Sequence, residues 1–147
     1  MNNYIKTTEE ETLSVYPLQI LSSGFDFTTM IVGMGGAAFP GNVKALSAMG
    51  NVDTLIANAC ECEPYITADD SLLRTQPERV LEGMMIMADL LEPSRIVLAV
   101  EDNKKEAIEK VREIIGEYEG IELAVLPTRY PQGAEKQLIQ ALTGREI

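Results

Sequence analysis

The sequence predicts an α/β fold, a parallel sheet flanked by helices, and two observations carry that expectation. From Val52 onward, short apolar runs alternate with longer segments whose apolar residues recur at helical spacing, the pattern of strands joined by crossover helices. With 147 residues, 46% of them apolar and 24% charged, the chain can bury one core and falls outside the composition of disordered proteins.

Before Val52 the pattern is weaker. Met1–Phe27 shows no clear period and is expected to be a separate N-terminal segment. Ile31–Gly36 is a short apolar run that falls into glycines, and Pro40–Met49 fits a helix opening with proline in its first turn. Asp53–Asn58 (DTLIAN) predicts a buried strand. Leu72–Leu91 predicts a helix with Leu73, Val80, Leu81, Met84, Met87 and Leu91 roughly on one side.

Arg95–Val100 (RIVLAV) predicts the next strand. Asn103–Tyr118 has the strongest helical period, turning Ala107, Ile108, Val111, Ile114 and Ile115 inward and its Lys and Glu residues outward. Ile121–Leu126 (IELAVL) predicts a third strand, and Gln132–Leu142 a helix ending at Gly144, where a left-handed cap is expected. Strands joined in this way form a parallel sheet with right-handed crossovers.

Composition excludes several functions. Twelve basic residues against twenty-three acidic ones give a net charge of −11, which repels nucleic acid and anionic lipid headgroups. No run approaches the roughly 18 apolar residues of a membrane span, and Met1–Glu11 is polar and acidic, so neither export nor direct membrane insertion is expected. The absence of histidine removes Ser-His-Asp and Cys-His catalysis. Cys60 and Cys62 stand one residue apart; a disulfide there would be strained, and reduced thiols in a cytosolic compartment fit better. A bound metal is not expected, since cluster and zinc sites need about four ligands.

Three loops carry candidate chemistry. In the first, Gly33-Met34-Gly35-Gly36-Ala37-Ala38-Phe39-Pro40, glycines without Cβ atoms let backbone N–H groups approach a phosphate or a flat ring, with Lys44 one turn on. A tight turn alone accounts for such a cluster equally well. The second, Asn58 to Tyr65 and on to Thr67, Asp69 and Asp70, leaves the carboxyl end of a predicted strand, where open parallel sheets bind ligands. Its carboxylates could accept hydrogen bonds from sugar hydroxyls or ring N–H groups, or could be solvated loop charges. The third, Tyr130 to Lys136, again follows a strand and opens a helix, with helix capping as its plainer explanation.

Read together, GMGGAAFP with Lys44, DTLIANACECEPYITADD, EDNKKEAI and YPQGAEKQLI resemble the C subunit of the Rnf complex, a ferredoxin:NAD oxidoreductase, and more distantly the NADH-binding flavoprotein subunit of respiratory complex I. The resemblance runs from about Ile31 to the C-terminus. It implies a Rossmann-like sheet holding noncovalent FMN that exchanges a hydride with NAD(H) and single electrons with iron–sulfur carriers. The expected organisation is a segment 1–27 followed by an FMN- and NADH-binding domain over 28–147, short of the family's later parts, where 4Fe-4S clusters belong.

Carried over by motif, Gly33, Gly35 and Gly36 would pack against the flavin and its phosphate, with Lys44 neutralising phosphate charge. Asn58, Glu61 and Cys62 would line the flavin, and Tyr130 and Gly133 belong to the loop covering the ring. Phe39, Glu63 and Glu135 resemble positions that meet the nicotinamide nucleotide. Met34 stands where complex I relatives have arginine, Cys60 where they have aspartate, Ala134 where they have glutamate, and Gly41 where threonine is usual. The partners implied are NADH and the other subunits of an Rnf-type membrane complex, at the cytoplasmic face, or a soluble reductase. The alternative is a docking or regulatory domain that keeps the fold without the cofactor.

Overall fold

The computed structural model describes residues 48–61 and 65–146. The chain divides into two compact units, Met1–Val52 and Asp53–Ile147. In the first, the described residues form a turn in which the Asn51 amide donates to the Ala48 carbonyl at 3.0 Å, with Gly50 in the left-handed region at φ +71°. The apolar run 31–36 and the helix expected over Pro40–Met49, apart from its last two residues, lie outside the described residues.

The second unit is the expected parallel sheet. Strand β1 (Thr54–Ala59) pairs with β2 (Arg95–Glu101), which pairs with β3 (Ile121–Leu126), in the order β1-β2-β3. The register sets Thr54 opposite Arg95 and Ile96 opposite Ile121, so all three carboxyl ends emerge on one rim. Each strand is an apolar run rich in β-branched residues, which favour the pleated, covered surface of a parallel sheet. β2 is the central strand of the three, and Val97, Ala99 and Val100 lie fully buried.

Helices cover both faces. Between β1 and β2 run α1 (Ala68–Thr75) and α2 (Pro77–Leu91); between β2 and β3 runs α3 (Lys105–Ile114), which tightens into a 3₁₀ turn at Ile115–Glu117. Leu73, Leu81, Met84, Ala107, Ile108 and Val111 from these helices pack with Ile96, Leu98 and Val100 on one face. Burying each of the larger side chains among these, Leu, Ile, Val or Met, stabilises the fold by roughly 1.5–3 kcal/mol. On the other face, α4 (Glu135–Thr143) sets Leu138 against Ala99 and Cys60.

The structure corrects the expected elements at four points. The single helix Leu72–Leu91 is two helices that meet at Gln76, whose φ of −144° and ψ of 49° leave the helical region. Pro77 is the cause: it donates no N–H and disfavours helical geometry in the residue before it, yet suits the first position of the next helix. Met87, expected to face inward, is exposed, whereas Leu73, Leu81, Met84 and Leu91 are buried. Regular α-helix in α3 stops four residues before Tyr118. α4 begins at Glu135 rather than Gln132, because the Gln132 and Ala134 amides close turns onto Arg129 and Pro131, and it ends at Gly144 in the left-handed conformation, φ +72°.

Candidate functional site

The candidate site is the rim formed by the carboxyl ends of the strands, where the chain must turn and where backbone groups no longer paired in the sheet become available to a ligand. Asn58 sits one residue before the end of β1. Its Nδ2 donates to the Gly133 carbonyl at 2.9 Å, and its Oδ1 accepts from the Cys60 amide at 3.0 Å. One side chain therefore fixes the loop that follows β1 and ties it to the loop that precedes α4.

Glu61, three residues on, is held on both carboxylate oxygens. Oε1 accepts from the Asp69 amide in the first turn of α1 at 2.7 Å, and Oε2 meets Lys104 Nζ at 2.7 Å. The Glu61 side chain is only 2% exposed and that of Lys104 14%, so the pair sits largely out of water. The hydrogen bond to Glu61 holds the Lys104 ammonium above its ordinary pKa.

A third tie completes the rim. Asp102, the first residue after β2, accepts from the Thr128 amide at 3.0 Å and from the Thr128 hydroxyl at 2.6 Å. These bonds keep the Asp102 carboxyl below the usual range. The three loops are thus joined pairwise: β1–α1 to β3–α4 through Asn58, β1–α1 to β2–α3 through Glu61 and Lys104, and β2–α3 to β3–α4 through Asp102. A closed set of bonds of this kind holds each loop from two sides.

The rim is acidic. Glu101, the last residue of β2, is 2% exposed, and burial pushes its carboxyl above the usual value, with the nearby Lys104 ammonium opposing the shift. Asp69 is raised by burial and then by the charge of Glu61. Acceptors of this density suit a ligand edge rich in hydroxyl and N–H donors and disfavour a phosphate.

Of the residues singled out in the sequence, Asn58 and Gly133 are in direct contact, and Glu61 is anchored just past the end of the strand that carries Asn58. Tyr130 projects at 84% exposure between the Thr128 and Gly133 anchor points, after which its peptide bond to Pro131 is cis. Glu135 opens α4, where a carboxylate complements the helix N-terminus. Cys60 is a buried thiol. Gly33, Gly35, Gly36, Phe39, Lys44, Cys62 and Glu63 lie outside the described residues.

Sequence reasoning gave no role to Lys104, Asp102, Glu101 or Thr128. Two signals were available. Lys104 occupies the N-cap of α3, where the helix dipole disfavours a cation unless an anion is close by. Glu101 ends a continuous apolar strand, a place where a carboxylate is costly without a purpose.

A family profile for the Nuo51 FMN-binding domain matches residues 28–147. The chain is similar to the C subunit of the ion-translocating oxidoreductase complex of Pasteurella multocida, 49% identical over 117 residues that make up 80% of this chain and 14% of the relative. The Pectobacterium atrosepticum protein of the same name is 46% identical over 117 residues, 80% of this chain and 17% of that protein. The chain therefore spans about a sixth of the length of these relatives.

Among solved structures, NAD+-reducing NiFe-hydrogenase in its H2-reduced state superposes with a TM-score of 0.67 at 27% identity, covering 92% of this chain and 25% of the other. The air-oxidized state of that enzyme gives 0.66 at 28% identity, covering 95% and 26%. Those superpositions agree with the parallel sheet and its flanking helices. The profile spans more than half of the sequence, and the chain belongs to the Nuo51 FMN-binding domain family.

Proposed function

We propose that the chain is an electron-transfer flavoprotein module, which moves electrons between NAD(H) and iron–sulfur carriers through noncovalent FMN within an Rnf-type complex. The observation that carries this reading is the Asn58 to Gly133 hydrogen bond, which joins two separately encoded loops at the ligand-binding rim of the sheet. The domain that does so is 28–147, and the 4Fe-4S carriers with which it exchanges electrons lie outside that domain.

The chemistry of the rim fits part of FMN. Amide and carboxylate acceptors suit the ribityl hydroxyls and the ring N–H, whereas the phosphate needs the backbone N–H groups of Gly33, Gly35 and Gly36 and the Lys44 ammonium. Asn58, with one Nδ2 hydrogen and one Oδ1 lone pair committed to the protein, keeps a second donor and acceptor for the ring edge. Glu61 and Cys62 flank that edge, and Tyr130 and Gly133 cover the ring. Phe39, Glu63 and Glu135 receive the nicotinamide nucleotide.

Bound FMN supplies hydride acceptance and one-electron release, chemistry that belongs to the cofactor. The protein's part is to orient two rings, exclude water and set the charge around them. No helix among the described residues is long and apolar enough to cross a membrane. Association with the cytoplasmic face would then run through partner subunits.

The test is direct. FMN added to the full chain should lose fluorescence on binding, and NADH added without oxygen should bleach the flavin band. A chain that leaves excess FMN fluorescent refutes the flavoprotein reading and favours a docking domain without cofactor. Lys44→Ala should weaken FMN binding more at low salt than at high salt, because its role is electrostatic. Glu63→Gln should alter NADH affinity more than flavin content.

A further inference from the structure

We propose that Lys104 is a positioning residue of the cofactor rim, a single cation that fixes the loop after β1 and the start of α1 together through Glu61. The inference rests on the FMN reading above and adds a residue to which that reading gives no part.

Four observations support it. Lys104 lies at the N-cap of α3, where a cation loses free energy to the helix dipole, so its place there calls for a compensating partner. That partner is Glu61, at 2.7 Å and almost wholly buried. The other oxygen of the same carboxylate takes the Asp69 amide at 2.7 Å, an N–H that α1 cannot satisfy itself. Thr67, at the N-cap of α1, makes no side-chain cap, so the distant Glu61 replaces the local one.

The consequence for the ligand is geometric. Glu61 stands three residues after Asn58 in the sequence and directly before Cys62 and Glu63, and its carboxylate is held at both oxygens. Lys104 itself need not touch FMN. With Lys104 removed, Glu61 loses the charge that keeps it inside, and the carboxylate turns outward toward water and releases the Asp69 amide. The loop then samples several positions, and ligand affinity falls because ordering it becomes part of binding.

The experiment compares the full chain with Lys104→Met, Lys104→Arg and the double variant Lys104→Met/Glu61→Gln, by amide hydrogen exchange without ligand and by quenching of FMN fluorescence. In Lys104→Met the Asp69 amide should exchange at least about tenfold faster, while Val97, Leu98 and Ala99 stay protected. FMN affinity should fall at least about tenfold. Lys104→Arg should restore part of both.

The double variant is neutral at both positions and keeps an oxygen for Asp69, so it separates loss of the clamp from failure to fold. Its Asp69 amide should be slower to exchange than in Lys104→Met. Unchanged Asp69 exchange in Lys104→Met overturns the clamp. Faster exchange with unchanged FMN affinity overturns its link to the cofactor. If the unaltered chain itself takes no FMN, the flavoprotein reading fails, and the exchange data still decide whether Lys104 holds the loop.

Discussion

The two ends of the sheet use ion pairs differently. At the amino end Arg95 grips Glu122 across neighbouring strands at 2.8 Å, and Arg145 reaches Asp53, with side chains 37% to 65% exposed. At the carboxyl end Glu61 and Lys104 form a pair that is 2% and 14% exposed, beside Glu101 at 2%. Exposed pairs contribute little, since water and salt screen them. Buried pairs are costly to form, and an apolar replacement of similar size is often at least as stable. Among the described residues, charges are held out of water at the carboxyl end and not in the pairs of the amino end, which marks the carboxyl end as built for something other than stability.

The largest effect should come from breaking the buried pair on one side. Lys104→Met takes the cation from Glu61 and should cost about 3 kcal/mol, at the low end for such pairs because the carboxylate lies near the rim and can turn out to water. Adding Glu61→Gln should recover most of that loss. Urea midpoints of the two variants check this, and equal destabilisation by both would mean that the pair contributes net stability and that the contrast between the ends is misdrawn.

Next in size is Asn58→Ala. It removes the tie between two loops and leaves the Gly133 carbonyl and the Cys60 amide without that partner, a loss of about 1 kcal/mol per bond. FMN affinity should fall by roughly tenfold or more, because Asn58 also meets the ring edge in the proposed site. If stability falls while FMN affinity holds, Asn58 is a loop fastener and has no part in ligand binding.

The same contrast between the ends explains what was legible in the sequence. Strands and helices after Val52 could be read because burial on both faces makes RIVLAV an unbroken apolar run and burial on one face gives the α3 segment a helical period, patterns that residue order preserves. The break at Pro77 was missed because the apolar spacing continues through it. Asn58 and Gly133 stood out through motifs at the ends of strands, yet their bond spans 75 positions. Lys104 stayed hidden for a similar reason: its meaning depends on Glu61, forty-three residues earlier, and the KK pair reads as solvated until the fold brings that carboxylate to it.

A smaller effect should appear in the pH dependence. Burial raises the folded-state pKa of Glu101 and Asp69 above the ordinary carboxylate value. Between the two values the folded chain holds more protons than the unfolded one, so this contribution to stability is present at low pH and is lost as pH rises through the raised pKa. Exposed Asp102 and Glu122 shift the other way and contribute stability that is lost as pH falls. Glu101→Gln removes one titration of the first kind, so relative to wild type it should gain stability as pH rises from about 4 to 7. A difference that stays constant over that range would show that Glu101 is ordinarily solvated.

The smallest effect should be at the amino end, in Glu122→Gln. Glu122 accepts from Arg95 Nε and Nη2, and these bonds hold its carboxyl below the usual range, but both partners face water. Arg95 also donates through Nη1 to the Leu142 carbonyl at 2.9 Å, a contact the substitution leaves in place. The anchoring of the end of α4 should therefore survive, and the urea midpoint should move little. Raising the salt should shrink even that difference, because screening already weakens the pair in wild type. Lys104→Met should respond much less to salt, since its partner carboxylate is shielded from solvent. If Glu122→Gln destabilises as strongly as Asn58→Ala, and does so at high salt as well, the amino end is a structural clamp in its own right and burial is the wrong measure of what separates the two rims.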